Sequence, residues 1–185
     1  MGFEVMVGLA KKFGGEWEAN KKVENEVSSF KFQVSSKKEE QIYLLKPQTF
    51  MNQSGEAVAK FLQFYKPSTL YPLSSTLWLV HDDIDLELGR LKIQIGGGSA
   101  GHHGVESVLS QLKGIDIVRF RMGVGRPVGE LRTENLELKT GKDWVLGKFS
   151  REEKVVAEKM IGRCVEAVEV ALGEGVEKVM SRFNG

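Results

Sequence analysis

The fold is decided by residues 77–85, which read LWLVHDDID. The first four positions are all apolar, and a strand that is apolar on both faces is typical of the interior of a sheet covered on each side. We therefore predict a central strand over residues 77–80. It runs directly into His81, Asp82 and Asp83, and the ends of such strands are where open α/β sheets place their functional sites.

Strands and helices alternate on both sides of this segment. Before it, hydrophobic periodicity predicts a helix over 3–13, a hairpin of 29–34 with 41–46, and a helix over about 57–66. After it, the pattern predicts a strand over 91–95, a helix near 103–112, a strand near 117–124, a helix over about 150–172 and a last helix ending near Phe183. Residues 67–75 and 126–142 have the polar composition of loops. This order predicts an α/β fold, a single domain over residues 1–185, with a mixed sheet covered on both faces.

The composition limits the class of protein. A chain of 185 residues, 41% of them apolar, can bury one substantial core but not two comfortable ones. The formal charge of +1 neither favours nor excludes a polyanionic partner, so any contact with nucleic acid requires a local basic patch. Apolar runs stay well short of the ~18 residues of a membrane span, and the single cysteine, Cys164, falls on the apolar stripe of a helix. We expect a soluble, cytoplasmic protein with a buried thiol.

Two polar turns could carry chemistry. Residues 50–55 read FMNQSG and lead into a helix, where Asn52 is either a plain helix N-cap or an amide that holds a water or a carbonyl. In the second turn, HDDID at 81–85, a carboxylate could orient an imidazole or bind a metal ion. Alternation along a strand sends the three carboxylates in different directions, and the histidine spacing does not suit zinc. We therefore predict no metal site.

A glycine run and a set of basic residues form the third constellation. Residues 96–104 read GGGSAGHHG and open a helix, whose free backbone amides could bind a phosphate or a developing oxyanion. The run lacks the lysine and the Ser/Thr of a Walker loop. Lys92, Arg119 and Arg121 occupy polar positions of the neighbouring strands, where they either share one face as a basic patch or are ordinary solvated charges.

Five motifs follow one another along the chain: LLKPQTFMNQSGEAV at 44–58, HDDIDL at 81–86, GHHG at 101–104, RFRMGVGRP at 119–127 and VLGKF at 145–149. In order and spacing they resemble the bacterial-type peptidyl-tRNA hydrolase family, from about residue 2 to the C-terminus. The resemblance implies a three-layer α/β/α sandwich and an enzyme that hydrolyses the ester joining a peptide to the terminal ribose of tRNA, which recycles stalled peptidyl-tRNA. It also implies a monomer that needs neither a metal nor an organic cofactor.

The resemblance assigns roles to the first two motifs. Asn52 would position the water and the substrate carbonyl, and Phe50 and Met51 would line the channel for the peptide. Asp82 would orient the catalytic base.

The later motifs match the family less evenly. His102 corresponds to a site histidine, whereas His103 stands where the family has a substrate-binding asparagine. Lys92 and Arg121 match a basic clamp for the 5′-phosphate of the tRNA, and a second clamp lysine is replaced by Gln94.

The start of the chain departs from the family pattern. Family members begin with a strand, a Gly-Asn-Pro-Gly turn and an Arg-His-Asn segment whose histidine is the general base. Residues 1–15 here read MGFEVMVGLAKKFGG and align best with the helix after that histidine, which would make Met1 an internal methionine. A second alignment equates residues 7–10 with the first strand and puts Lys22 where the base belongs. In both alignments the catalytic histidine is absent.

Three functions follow as hypotheses. The first is a hydrolase acting on peptidyl-tRNA, although residues 1–185 alone are expected to be poorly soluble or inactive without the base and the strand. The second is a catalytically inactive module that binds the tRNA acceptor stem. The third is a generic phosphate-binding α/β domain.

Overall fold

The protein is described from a computed structural model, and the structure describes residues 1–36, 38–65, 77–126 and 149–184. The strands are β1 (Glu18–Asn20), β2 (Asn25–Ser35), β3 (Lys38–Pro47), β4 (Trp78–Asp83), β5 (Leu91–Ile95) and β6 (Val118–Gly123). The helices are α1 (Gly2–Phe13), α2 (Ser54–Tyr65), α3 (His103–Gln111), α4 (Arg151–Glu174) and α5 (Val176–Phe183), and a 3-10 turn over Met51–Gln53 precedes α2. The predicted loop at 67–75, most of the polar stretch at 126–142 and the start of the VLGKF motif lie outside the described residues.

The described strands form two sheets of three. The first has the order β1-β2-β3 and is antiparallel throughout. The second has the order β4-β6-β5, in which β4 runs parallel to β6 and β5 runs antiparallel to it. The predicted α/β class with a mixed sheet is therefore confirmed, since parallel and antiparallel pairs share the second sheet.

Helices cover both faces of these sheets. On one side α1, α4 and α5 bury a core that includes Phe30 from β2, Leu44 from β3 and Phe120 from β6. On the other side α2 and α3 pack over Leu79 of β4, and α2 alone packs over Leu45 of β3 in a smaller cluster. Successive residues of a strand point to opposite faces, so β2, β3 and β4 contribute side chains to both sides.

Local signals set the ends of the helices. Gly14 adopts the left-handed conformation (φ 73°) at the C-cap of α1, which fits the predicted stop there. Ser150 and Glu153 form the predicted capping box at the start of α4, with Ser150 Oγ accepting from the Glu153 amide at 3.1 Å. None of the helices in the described ranges is long and apolar enough to cross a bilayer.

Two predictions about strands need correction. The hairpin strands β2 and β3 extend well beyond their apolar segments, because charged pairs such as Lys31 with Glu39, 2.9 Å apart, continue the ladder towards the turn. The strand at residues 77–80 was expected in the interior of a sheet. Within the described residues β4 has a single neighbouring strand, β6, and so lies at the edge of its sheet.

Candidate active site

A cleft of about 1340 Å³ separates the two sheets. Its walls come largely from the apolar residues of β3 and β4, and α1 and α3 contribute to the lining. Met51, Asp82 and His102 line the same cleft, at the carboxyl end of β4. We call it the β3–β4 cleft.

The turn before α2 reaches this cleft because two helices touch backbone to backbone. At Gly55 an added Cβ atom would stand 2.1 Å from the carbonyl oxygen of Ser107 in α3, so only glycine fits. The Gly55 amide also donates to Ser107 Oγ at 2.9 Å. This close approach places Met51 against the start of α3, where its side chain would lie 3.1 Å from a Cβ on Gly104.

His102 is the N-cap of α3. Its Nδ1 accepts hydrogen bonds from the amides of Gly104, at 3.1 Å, and Val105, at 3.2 Å. Two donors on Nδ1 leave no proton there, so in the neutral ring the proton is on Nε2. Nε2 faces Asp82 Oδ2 at a distance of 3.8 Å. The side chain of His102 therefore occupies the amides of Gly104 and Val105. The prediction that the amides at this helix start could bind a phosphate or an oxyanion was wrong for these two amides.

The ionisation of Asp82 is governed by burial and by this imidazole. Burial opposes the charged form, but His102 outweighs it, and the pKa of Asp82 lies below its ordinary value. The separation of 3.8 Å is too long for a hydrogen bond, so the attraction is electrostatic. Asp82 is therefore an anion at neutral pH, at the rim of an apolar cleft.

The neighbouring His81 is a poor base. Its side chain is 5% exposed, and burial lowers its pKa to about 4. Its ring lies edge-on to that of His102, with centroids 5.0 Å apart, and Nδ1 donates to the carbonyl oxygen of Asp82 at 2.7 Å. The sequence motif contained this histidine, but nothing in the pattern indicated that it would be buried beside His102.

Asn52 and its neighbours remain open to solvent. Phe50 is 81% exposed and Met51 is 40% exposed, which is unusual for large apolar side chains. Asn52 is exposed and, among the described residues, its side-chain amide has no hydrogen-bond partner. The 3-10 turn starts at Met51 without a side-chain cap, so Asn52 is not the N-cap considered above. Its amide is free to bind water or a substrate.

The three basic residues lie on one face of the second sheet, as the interpretation of a basic patch predicted. Lys92 lies directly opposite Arg121 in the β5–β6 ladder, and Arg119 lies two positions before Arg121 in β6. Lys92 is exposed, but Arg121 donates to Asp83 Oδ2 and to Gln94 Oε1, each at 2.6 Å. Of Lys92, Arg119 and Arg121, Lys92 alone is exposed.

A family model described as Peptidyl-tRNA hydrolase matches residues 1–185. The chain belongs to the peptidyl-tRNA hydrolase family. It is 40% identical over 190 residues to the peptidyl-tRNA hydrolase of Caldanaerobacter subterraneus subsp. tengcongensis, and the match covers all of this chain and 89% of that relative. It is 37% identical over 189 residues to the peptidyl-tRNA hydrolase of a Thermoanaerobacter species, again over all of this chain and 89% of the relative.

Solved structures give the same fold. A crystal structure of a peptidyl-tRNA hydrolase variant from Acinetobacter baumannii superposes with a TM-score of 0.82 at 24% identity, and covers 100% of this chain and 84% of that chain. A second peptidyl-tRNA hydrolase, in complex with N-propanol, gives a TM-score of 0.78 at 26% identity with the same coverage.

In this peptidyl-tRNA hydrolase family member, the residues singled out from the sequence fall into two groups. Met51, Asp82 and His102 meet at the β3–β4 cleft, and Asn52 lies on the turn at its rim. The others stand apart, because His103 is 66% exposed and faces Glu106 at 3.7 Å, while Lys92 belongs to the basic face.

The acidic turn does not gather its carboxylates at one point. Asp83 accepts from Arg121 Nε and from the Asp85 amide, and Asp85 pairs with Arg126. Asp82 alone faces the cleft. The alternation along β4 explains this divergence.

Arg119 has a role that the sequence did not indicate. It is 2% exposed and donates to the carbonyl oxygens of Gly96, at 3.1 Å, and Gly98, at 2.7 Å. It therefore shapes the glycine run that leads into α3. Its place in an alternating strand predicted a polar direction, but not burial.

Proposed function

We propose that this protein hydrolyses the ester bond of peptidyl-tRNA, releasing the peptide and free tRNA. Family membership supports the reaction, and one observation carries its location. An ionised Asp82 faces His102 at the rim of an apolar cleft, and Met51, next to Asn52 in the turn before α2, lines the same cleft. An ester can bind there with its peptide on the apolar side and its ribose outward.

The chemical roles follow from these groups. The amide of Asn52 would hold the attacking water or the substrate carbonyl, because it offers both a donor and an acceptor. The carboxylate of Asp82 would stabilise the positive charge that develops on a general base when it removes a proton from that water. Phe50 and Met51 would contact the peptide. Lys92 would attract a tRNA phosphate, and Arg121 would join it by leaving its ion pair with Asp83 for the phosphate.

The general base is the weak point of this site. The sequence contains three histidines. His102 uses the lone pair of Nδ1 to cap α3, His81 is buried with a pKa of about 4, and His103 is exposed beside Glu106. The lone pair on His81 Nε2 has no partner, but it belongs to a ring with a pKa of about 4, so His81 is a weak base at neutral pH. We propose that residues 1–185 alone hydrolyse the ester slowly, since loss of a general base typically costs ~10²–10⁴ in rate.

The same observation favours a second candidate, a module that binds the tRNA acceptor stem without cleaving it. Single-turnover hydrolysis of an N-acetylated aminoacyl-tRNA, together with filter binding of the same tRNA, separates the two. We expect measurable hydrolysis that falls by about 10² in Asn52→Ala, the cost of losing a positioned hydrogen-bonding group. The neighbouring exposed Gln53 supplies the matched control, because Gln53→Ala should leave the rate unchanged. Tight tRNA binding with no hydrolysis above the spontaneous rate would instead establish the binding module.

The location, the oligomeric state and the cofactor requirement are inferred from the role of the family in translation. We expect a cytoplasmic protein that acts on its substrate as a monomer and without a metal or organic cofactor. Light scattering measures the oligomeric state, and hydrolysis that is unchanged in the presence of EDTA is the expected result for the cofactor.

A further inference from the structure

Strand β5 lies at an edge of the second sheet, since within the described ranges it pairs with β6 alone. In an antiparallel pair every second residue directs its N–H and C=O groups away from the neighbouring strand, so an edge strand presents a row of such groups outward. Ile93 is one of these outward-facing positions, and it lies between Lys92 and Gln94. The support on the outer side of β5 therefore matters for the face of the sheet that carries Lys92, Arg119 and Arg121.

The side chain of Asn184 supports β5 at Ile93. Its Oδ1 accepts from the Ile93 amide at 2.6 Å, and its Nδ2 donates to the Ile93 carbonyl oxygen at 2.8 Å. A primary amide offers one acceptor and one donor side by side, as a residue of a neighbouring strand does with its backbone. Asn184 therefore acts as a strand of one residue, paired with the outer edge of β5.

Asn184 is itself held firmly at the end of α5. It is the C-cap of that helix, and its backbone amide donates to the carbonyl oxygen of Met180 at 3.2 Å. The preceding Phe183 is buried in the core under α4, and its carbonyl oxygen accepts from Arg163 of α4 at 3.1 Å. The side chain of Asn184 thus fixes β5 to the two C-terminal helices.

The position of the Ile93 backbone determines the position of its two neighbours. Side chains alternate along a strand, so Ile93 points into the core while Lys92 and Gln94 point to the opposite face. Gln94 Oε1 accepts from Arg121 at 2.6 Å, so a shift of β5 would move the partner of Arg121 as well as Lys92. Lys92 has a long, exposed side chain, which loses conformational freedom when it binds an anion. A fixed backbone limits that loss.

We propose that Asn184 is a positioning residue for tRNA binding, which fixes the edge strand through Ile93 and so presents Lys92 to a tRNA phosphate. Asn184 acts through the backbone of β5, since its amide is engaged with Ile93. The inference rests on the proposed function, because it takes Lys92 as the residue that attracts this phosphate. The contribution of Asn184 is preorganisation, which lowers the entropy lost on binding.

The first measurement concerns the pairing itself and needs no tRNA. In Asn184→Ala the Ile93 amide loses its acceptor, and we expect it to exchange with solvent at least about tenfold faster than in wild type. Asn20→Ala is the matched control, because it removes a half-buried amide of β1 that donates to the Tyr65 hydroxyl at 3.1 Å. This control should leave exchange at Ile93 unchanged. Equal exchange of the Ile93 amide in Asn184→Ala and wild type would overturn the proposal.

The second measurement is filter binding of an N-acetylated aminoacyl-tRNA to four forms of the chain: wild type, Asn184→Ala, Lys92→Ala and the double variant. We expect Asn184→Ala to weaken binding by about threefold to tenfold when Lys92 is present, and by less than about twofold when Lys92 is already alanine. A residue that only stabilises the fold would weaken binding equally in both backgrounds. The Asn20→Ala control should leave the affinity for tRNA unchanged.

The binding results separate this inference from the proposed function. Equal weakening by Asn184→Ala in both backgrounds, or no weakening in either, would overturn the inference and leave the proposed function intact. If the wild-type chain does not bind the tRNA, the proposed function fails and this inference fails with it. Asn184→Leu keeps most of the volume of the side chain without its polar atoms, so it replaces the alanine variant in both measurements if that variant does not fold.

A different role for Asn184 gives a different result. An open strand edge can pair with the same edge of a second copy of the chain, and a side chain that occupies the edge prevents this. If Asn184→Ala forms dimers by light scattering while its affinity for tRNA stays at the wild-type value, Asn184 protects the edge of β5 and does not position Lys92. That outcome would also overturn the proposal.

Discussion

Replacing Gly55 with alanine tests whether backbone contact between α2 and α3 builds the site. The new Cβ would stand 2.1 Å from the carbonyl oxygen of Ser107 and 2.5 Å from its carbon, both of them backbone atoms. Ordinary contact begins near 3.4 Å, so the helices must separate by about 1 Å. The separation would also weaken the hydrogen bond from the Gly55 amide to Ser107 Oγ.

The expected change in stability is a balance of three effects. Overpacking of this kind costs ~1–3 kcal/mol, and the weakened hydrogen bond costs about 1 kcal/mol. The higher helix propensity of alanine returns at most ~1 kcal/mol, and less in the first turn of a helix. The net destabilisation is about 2 kcal/mol, which for a chain of this size lowers the unfolding temperature by roughly 4–8 °C.

The measurement is thermal and urea unfolding of Gly55→Ala beside wild type and a matched glycine variant. Gly162 lies in α4, is exposed, and has nothing within 4 Å of an added Cβ. Gly162→Ala should therefore stabilise the protein, by up to about 1 kcal/mol. If Gly55→Ala unfolds at or above the wild-type temperature, the helices are not in contact at this position and the reasoning is refuted.

Two more predictions concern ionisable groups. Burial would raise the pKa of Asp83, but the hydrogen bonds from Arg121 and from the Asp85 amide outweigh it and hold that pKa below its ordinary value of 3.8. The stability that Asp83 contributes is therefore present above pH 3.8 and is lost as the pH falls through the lower, folded-state pKa. Asp83→Asn should unfold at a lower temperature than wild type at pH 7. Thermal unfolding curves recorded down to pH 3 should show that this difference in unfolding temperature shrinks. A difference that grows in acid would contradict the prediction. Burial raises the pKa of the Cys164 thiol to about 12, so a disulfide reagent at pH 8 should label it only after unfolding in denaturant, and rapid labelling of the folded protein would show that the helix packing is wrong.

Much of the fold could be predicted from local pattern. Helices α1 and α4 were predicted because each combines an apolar stripe with a clear end signal, Gly14 in one and the Ser150 capping box in the other. Strand β1 was missed, since three residues with no alternation carry no signal. The full length of β2 and β3 was missed because polar residues continue their ladder, held by pairs between distant positions.

The candidate site could be predicted only in part. The motifs indicated that Asn52, Asp82 and His102 matter, and the structure places the last two on one cleft with the turn of Asn52 beside it. Which nitrogen of His102 faces Asp82 depends on the start of α3, which no spacing reveals. The pairing of Arg121 with Asp83 joins positions 38 residues apart and depends on the order of the strands.

The ring of His102 couples the folding of α3 to the charge at the rim of the cleft. Nδ1 caps the N-terminus of α3, and Nε2, on the far side of the rigid planar ring, faces the carboxylate of Asp82. Asparagine, aspartate and serine terminate helices well but are too short to span both tasks, while longer flexible side chains do not hold the two contacts at a fixed separation. Any replacement of His102 therefore changes the stability of α3 and the electrostatic environment of Asp82 at the same time.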